Sequence, residues 1–570
     1  MNLSRLSLPL FALSLAATLL SPASARACGG FFCSASAPVN QAAERIIFAK
    51  HPDGRVSAIV QIQYTGPSEL FAWVLPVPGI PEVGVSSNVA FSRLQALTNP
   101  VYRLQTRVEG SCGRDRSLAS GGGLDASLSG SADASIDAGT SVSIVGEGSV
   151  GPYDWVTISL DPATPNPGDV AVSWLQDNGY DVDDFGRDRL APYLADGMNL
   201  IAFRLSKGNA VGEIRPVFLT YDAPCPRIPI LPTAVAAEDD MGVLVWVLGE
   251  SRAIPENYFS LELNDALIDW FSPSATYDAV VTAAADEAGG KGFVTEMAGR
   301  RADLPGLLLQ PFEDTAIDDL RTSAAGGAMG GQIVLEALGI FGGWDGIRGV
   351  VQAHLPLEPG LALEDFLACP FCYLSWDASI PGFDAVAFLD ALEADVLAPM
   401  RASQALFDDF YYVTRLYTTM SAVDMTLDPE FEFNSTLPDV SNLHVAERVI
   451  ECASDRAVST APWRAVLPSG QLVRGTGSSW PFRFTDGAMP LNREVRQLDT
   501  VGEGVVVVDN SAAIDELLSA HNLSIEAATA RPAGRGACGC VLHPGPPRPL
   551  SWGVGLLLVF GLALRRRRRA

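Results

Sequence analysis

The sequence predicts an α+β protein with a β-rich N-terminal half, a helical middle region and a further strand-containing C-terminal part. Three observations carry this prediction. Short apolar runs with strand-like periodicity, punctuated by Pro, Gly and Asn, occupy residues 45–110 and 153–248. Helical spacing and good helix formers take over at 275–288, 361–368 and 384–406. Strand patterns then return at 411–420 and 446–451. With 570 residues, 48% hydrophobic and 18% charged, the chain is long enough for roughly three to four average domains and apolar enough to bury a large core.

In chain order, residues 1–27 read as a signal peptide: Arg5 in a positive start, an apolar run from Leu6 to Leu20, and Ala25-Arg26-Ala27 before the cut. Cleavage is expected between Ala27 and Cys28. A lipoprotein signal also places Cys first, but it wants Leu or a similar residue where Ala25 stands, so ordinary cleavage is the expectation.

Residues 28–270 read as a β-rich domain. Val56, Ala58, Val60, Ile62 and Tyr64 alternate with Ser57, Ile59, Gln61 and Gln63, close to the period of a half-buried strand. Phe71 to Leu75 is a second strand, which Pro76-Val77-Pro78 is expected to stop. Residues 117–151 collapse into Gly, Ser, Ala and Asp, the composition of a flexible surface insertion. Further strands are expected at Asp154–Leu160, Leu200–Leu205, Arg215–Tyr221 and Met241–Leu248, and a short helix at Asp169–Asp177 closed by Asn178-Gly179.

Residues 271–410 form the helical region, where Pro399 should kink or break the last helix. Residues 411–530 mix strand and helix, and no repeat of 20–50 residues suggests a solenoid or propeller.

Residues 531–549 carry Cys538-Gly539-Cys540 and a Pro-rich spacer, and residues 550–570 an apolar run ending in Arg565 to Arg569. The run Leu550–Leu564 is short for a hydrocarbon core of ~30 Å at ~1.5 Å per residue, and the arginines make it a stop signal with its positive end inside. The tail resembles the myxobacterial C-terminal sorting tag. That resemblance implies that a membrane protease removes the transmembrane helix and that Cys538 or Cys540 retains the protein at the cell surface.

Asp and Glu outnumber Lys and Arg by 66 to 39, for a net charge of -27. Such a surface repels phosphate, so no nucleic-acid partner is expected. The expected partners are the membrane, through the tail, and an envelope or extracellular ligand whose identity the sequence does not give.

Four phrases, Ala27-Cys28-Gly29-Gly30-Phe31-Phe32-Cys33, Phe71 to Pro78, Trp174 to Tyr180 and Leu437 to Asn442, are together similar to secreted bacterial proteins catalogued as domain of unknown function 2330. The resemblance reaches from about residue 27 to 450. It implies a shared fold and compartment, with no reaction and no catalytic residue to carry over.

Chemical motifs are sparse. Gly146-Glu147-Gly148-Ser149-Val150-Gly151 has the spacing of a dinucleotide loop, but a strand pattern follows where a helix must begin. Asp181 to Gly186 imitates the start of a calcium loop, with Phe185 at a ligand position and Pro192 in place of the bidentate Glu. Cys369-Pro370-Phe371-Cys372 has the spacing of a redox dithiol or half a zinc site, for which only His444 and Cys452 could complete the set. A structural disulfide is the plainer reading. Cys28, Cys33, Cys112, Cys225, Cys369, Cys372 and Cys452 are the disulfide candidates, with Cys28–Cys33, Cys112–Cys225 and Cys369–Cys372 the expected pairs.

No GxSxG, HExxH or phosphate-loop motif occurs, and His51, His354, His444 and His521 read as core or surface residues. The pairs Asp239-Asp240 and Asp318-Asp319 read as solvated faces. No cofactor or metal is expected. The leading reading is a secreted, surface-anchored, non-enzymatic binding or envelope structural protein. The alternatives are a secreted hydrolase using acidic residues, with or without calcium, and a redox or assembly factor using the CxxC. Clustered acids with raised pKa in a cleft would favour the hydrolase, and an exposed apolar or aromatic patch would favour binding.

Overall fold

A strand that reads as an unbroken apolar run needs cover on both faces. Ile46-Ile47-Phe48-Ala49 is such a run: Ile46 and Phe48 enter one hydrophobic cluster, and Ile47 and Ala49 another. The protein, a computed structural model, is described over residues 41–62, 71–112, 142–180, 182, 187–206, 214–235, 237–454 and 456–530. The expected signal peptide, Cys28, Cys33, most of the Gly/Ser insertion, most of the calcium-like loop, Cys538, Cys540 and the hydrophobic tail lie outside these residues.

The described residues form twenty strands: β1 (Gln41–Lys50), β2 (Arg55–Gln61), β3 (Ala72–Val77), β4 (Glu82–Val85), β5 (Val101–Glu109), β6 (Ser143–Val150), β7 (Tyr153–Ser159), β8 (Asn199–Leu205), β9 (Val217–Asp222), β10 (Ala237–Gly249), β11 (Arg252–Pro255), β12 (Phe259–Leu263), β13 (Gly292–Arg300), β14 (Tyr412–Met420), β15 (Phe431–Asn434), β16 (Leu443–Glu451), β17 (Pro462–Val466), β18 (Leu472–Thr476), β19 (Asn492–Gln497) and β20 (Val505–Asp509). Ten of them form one mixed sheet in the order β20-β19-β12-β13-β14-β10-β1-β2-β9-β4, parallel at β1–β10 and β12–β13. The α+β class is as the sequence predicts, with helices concentrated at 311–409.

One face of this sheet packs on the four-stranded sheet β3-β8-β7-β6 and the helix Pro167–Asp177, through Ile46, Phe48, Val245 and Val247. The other face, with Ile47, Leu244 and Trp246, packs on the helices Asn88–Thr98, Pro311–Ala325, Gly330–Phe341 and Ala385–Leu392. A third cluster joins the helix Tyr277–Glu287 to the sheet β18-β17-β16-β5 and the helix Ser511–Thr529.

Several local expectations change. β2 ends at Gln61 and is buried on both faces, Ser57 and Ile59 included, because the second sheet and the helices cover it together. Pro76 does not stop its strand: it pairs with Leu200 inside β3, an edge strand whose outer side needs no N–H donor. The last stretch of the expected insertion, Ser143–Val150, is instead a strand paired with β7, so the GxGxxG spacing falls in a hairpin. Pro399 does not break its helix: a π-helical segment, Glu393–Leu397, widens the preceding turn, and the α-helix resumes at Ala398–Asp409. The helix at 167–177 closes as expected, with Gly179 at φ +77° and the Tyr180 amide donating to the Leu175 carbonyl at 2.9 Å.

Candidate functional site

A cleft of about 1340 Å³ opens on the helical face of the sheet, at the seam between the second and third clusters. Its floor is made by β1, β10, β13 and β14, and its walls by the C-terminal end of the helix Asn88–Thr98 and by the helix Tyr277–Glu287. Asp278, Thr282 and Asp286 are spaced by four along that second helix, which puts them in one stripe facing the cleft.

A buried polar group of the floor is the bulged residue of β13. Thr295 pairs with Leu416 and Met297 with Arg415, so Glu296 is the extra residue between them. A bulge re-aims its side chain. Glu296 consequently accepts from Arg415 Nε on one oxygen and from the Tyr277 hydroxyl at 2.6 Å on the other. Arg415 also donates to Thr98 Oγ1 at 3.2 Å and lies 5.4 Å from the Trp246 ring centroid. Both charged side chains are buried, 5% and 1% exposed, which suits a pair that satisfies itself. Burial, then the Glu296 charge, pushes the Tyr277 phenol well above its usual range, so it stays protonated and donates.

Towards the rim, Thr419 donates to Thr282 Oγ1 at 3.0 Å, and Arg45 donates to Gln61 at 3.1 Å. Burial and then Arg415 pull Arg45 below the ordinary guanidinium range. Gly242 on β10 leaves room for the Tyr417 hydroxyl, which a Cβ there would meet at 3.3 Å. Asp240 holds a left-handed backbone, φ 59°, uncommon for a residue with a side chain, and its amide donates to Ser421 Oγ at 3.0 Å. Burial, then the charges of Asp240 and Asp424, pushes the Asp286 carboxyl up.

Of the residues singled out from sequence, Asp240 alone lines the cleft, while Asp239, Asp318 and Asp319 are exposed. His444 stacks on Tyr102 with ring centroids 4.6 Å apart, and His521 lies 2.8 Å from the Arg474 carbonyl. His354 ends the helix Ile347–His354. His51 is 2.8 Å from Ser57 Oγ, but Ser57 is buried in β2, reaches on to Thr220 and lines neither this cleft nor the smaller cavity described below.

Cys369 and Cys372 are joined across the start of a short helix, Pro370–Tyr373, around which Phe371, Tyr373 and Trp376 are all exposed. Cys112 pairs with Cys452, not with the expected Cys225, because β5 and β16 run parallel and bring their ends together. Cys225 is a free thiol that burial pushes up to about 11. The zinc set considered from the sequence is thereby dispersed into two disulfides and a stacked histidine. Among the described residues no group of three or more His, Cys, Asp or Glu is placed to hold a metal, and no helix is long and apolar enough to cross a membrane.

Comparison with known families matches residues 22–306 to the family described as "Uncharacterized protein conserved in bacteria (DUF2330)". The chain belongs to this family. The match takes in three of the four phrases that carry the resemblance and ends before Leu437 to Asn442, short of the reach to about residue 450 read from the sequence. Comparison with curated proteins and with solved structures gave no match. Within the match lie β13, the helix Tyr277–Glu287 and Asp240, whereas Arg415, Tyr417 and Thr419 lie beyond it.

The spacing of Asp278, Thr282 and Asp286 on an expected helix is the one sequence signal that points to this wall. Glu296 and Arg415 have none, being 119 residues apart and brought together by a bulge.

Proposed function

We propose that the chain is an exported protein, held at the cell surface through its C-terminal tail, that binds an oligosaccharide-sized, hydroxyl-rich ligand in the cleft. The observation that carries this reading is the composition of a large cleft. At about 1340 Å³ it exceeds the ~300–1,000 Å³ of small-molecule pockets. Its surface offers carboxylates, amides and hydroxyls from Asp278, Asp286, Gln95, Asn99, Thr282 and Tyr417, with Tyr102 and Phe484 as ring surfaces. Glu296 and Arg415, a buried acid and base in its lining, are committed to each other. No histidine, cysteine or lysine is among the described residues lining it. Export rests on the signal-like start, and retention on the Cys538-Gly539-Cys540 motif, the apolar run and the terminal arginines. The exposed Phe371, Tyr373 and Trp376 also fit a binding role. A glycan array probed with the full chain tests the reading: selective binding that Asp286→Asn and Asn99→Ala weaken is expected, and an array without hits would refute it.

One observation favours the hydrolase as a second reading. Burial and then the charge of Asp240, which shares the cleft, raise the Asp286 carboxyl, and a raised carboxyl in a cleft is suited to act as a general acid. If a bound glycan is cleaved and Asp286→Asn stops cleavage but spares binding, the hydrolase reading replaces the first.

A further inference from the structure

Glu44 on β1 borders both the cleft and a second cavity of about 250 Å³ on the other face of the sheet, room for about eight water-sized groups at ~30 Å³ each. Its walls are apolar: Ile46, Phe48, Val60 and Leu75 project from β1, β2 and β3, and Tyr221 stands on β9. Glu44 is 2% exposed, and its Oε2 is buried with no hydrogen-bond partner in the structure. Folds rarely leave a buried carboxyl unbonded, so this oxygen, in the wall of a cavity, marks where a ligand's polar group would sit.

The charges around it decide the sign of that group. Asp428 faces Glu44 from the next layer, its carboxylate accepting from the Tyr193 hydroxyl at 2.7 Å and the Ile230 amide at 2.9 Å. Asp196, Tyr221, Cys225 and Arg227 are the other titratable groups in the wall. Arg227, the single cation among them, is already paired with Glu430. Acids are therefore in excess, and a ring surface is at hand on Phe48 and Tyr221 for a cation to lie against. We propose that this cavity binds a small organic ammonium ion, with its charged head on Glu44 and its hydrocarbon body between Phe48, Leu75 and Tyr221.

The proposal carries a proton count. Burial, then Asp428, pushes the empty-state Glu44 carboxyl up to about 8, so at pH 7 about nine in ten molecules hold it protonated. An ammonium ion keeps its own protons and pairs with carboxylate, so binding sends the Glu44 proton to the buffer, about 0.9 per ligand. The experiment is calorimetric titration of the full chain with hexylammonium chloride and with hexan-1-ol, at pH 7 in two buffers of different ionisation enthalpy. Hexylammonium should bind at least ~10-fold more tightly than hexanol and release about 0.9 proton, hexanol none. Glu44→Gln should abolish the preference and the release while still admitting hexanol. Asp286→Asn, across the sheet in the cleft, should leave the amine isotherm unchanged. Equal or tighter hexanol binding, no binding of either probe, or amine binding without proton release would overturn the assignment. So would loss of the amine isotherm in Asp286→Asn, which would place the amine in the cleft. Because the proton count is read on the parent chain, a poorly folded Glu44→Gln would not rescue a failed result.

Discussion

Replacing Arg415 by Met tests whether the floor of the cleft is held by a self-satisfied ion pair. Met keeps an unbranched stem beside Trp246 but removes every donor. Glu296, 1% exposed at its side chain, is then left with the Tyr277 hydroxyl alone. Breaking a buried pair from one side costs about 3–5 kcal/mol, because an uncompensated charge stays behind. Removing both charges, in Arg415→Met combined with Glu296→Gln, leaves no such charge and should cost less than the single change. Urea unfolding followed by tryptophan fluorescence and circular dichroism measures both variants, with coincident transitions as the condition for reading free energies. The coupling between the two sites should then exceed the cost of Glu296→Gln alone, and so be on the order of 3 kcal/mol or more. A single variant that loses under ~1 kcal/mol, or a double variant whose loss is the plain sum, would refute the reasoning.

Three further outcomes are expected. The Glu44 carboxyl titrates at about 8 in the folded chain against 4.5 ordinarily, so the native state holds a proton that the unfolded state releases. Stability from this group is full below about pH 4.5 and is lost as pH rises towards 8; Glu44→Gln should flatten the fall by up to roughly 4 kcal/mol, leaving a smaller slope from Asp428 at about 6, and parallel pH–stability curves would count against it. Peptide mapping without reduction should recover Cys112 joined to Cys452 and Cys225 alkylated, and Cys452→Ser should cost roughly 2–5 kcal/mol; a Cys112–Cys225 peptide would contradict the fold. Deleting Val541 to Ala570 should release the protein into the medium, and neutralising Arg565 to Arg569 should impair retention; if fractionation finds the truncated form still bound, the anchor lies at Cys28.

What could be read from sequence follows the range of the interactions involved. β8, β9 and β10 and the helix Tyr277–Glu287 are legible because period and caps are local properties. The helices Pro311–Ala325 and Gly330–Phe341 escaped: the buried stripe of the first runs through Glu313, Ala316, Ile317 and Leu320, only two of them large and apolar, and the second is apolar nearly all round. Pro76 misled because an edge strand tolerates it, and edge position is a tertiary fact. Cys112 was assigned to Cys225 for want of any signal that β5 would run beside β16. The cleft showed only its helical wall, since its floor depends on a bulge in β13 and on a strand more than a hundred residues later.

That later strand governs when the molecule can become itself. β14 sits between β10 and β13 and bonds to both, yet it follows β13 in the chain by more than a hundred residues and lies outside the matched stretch 22–306. A chain ended at residue 306 would present the bonding edges of β10 and β13 to water, two long templates for another copy to seize. The family stretch is therefore a sheet with its middle plank missing, and a growing chain must be kept from its neighbours until residue 420 has followed. Any search for the smallest folding piece of this protein should start past Met420, not at the end of the match.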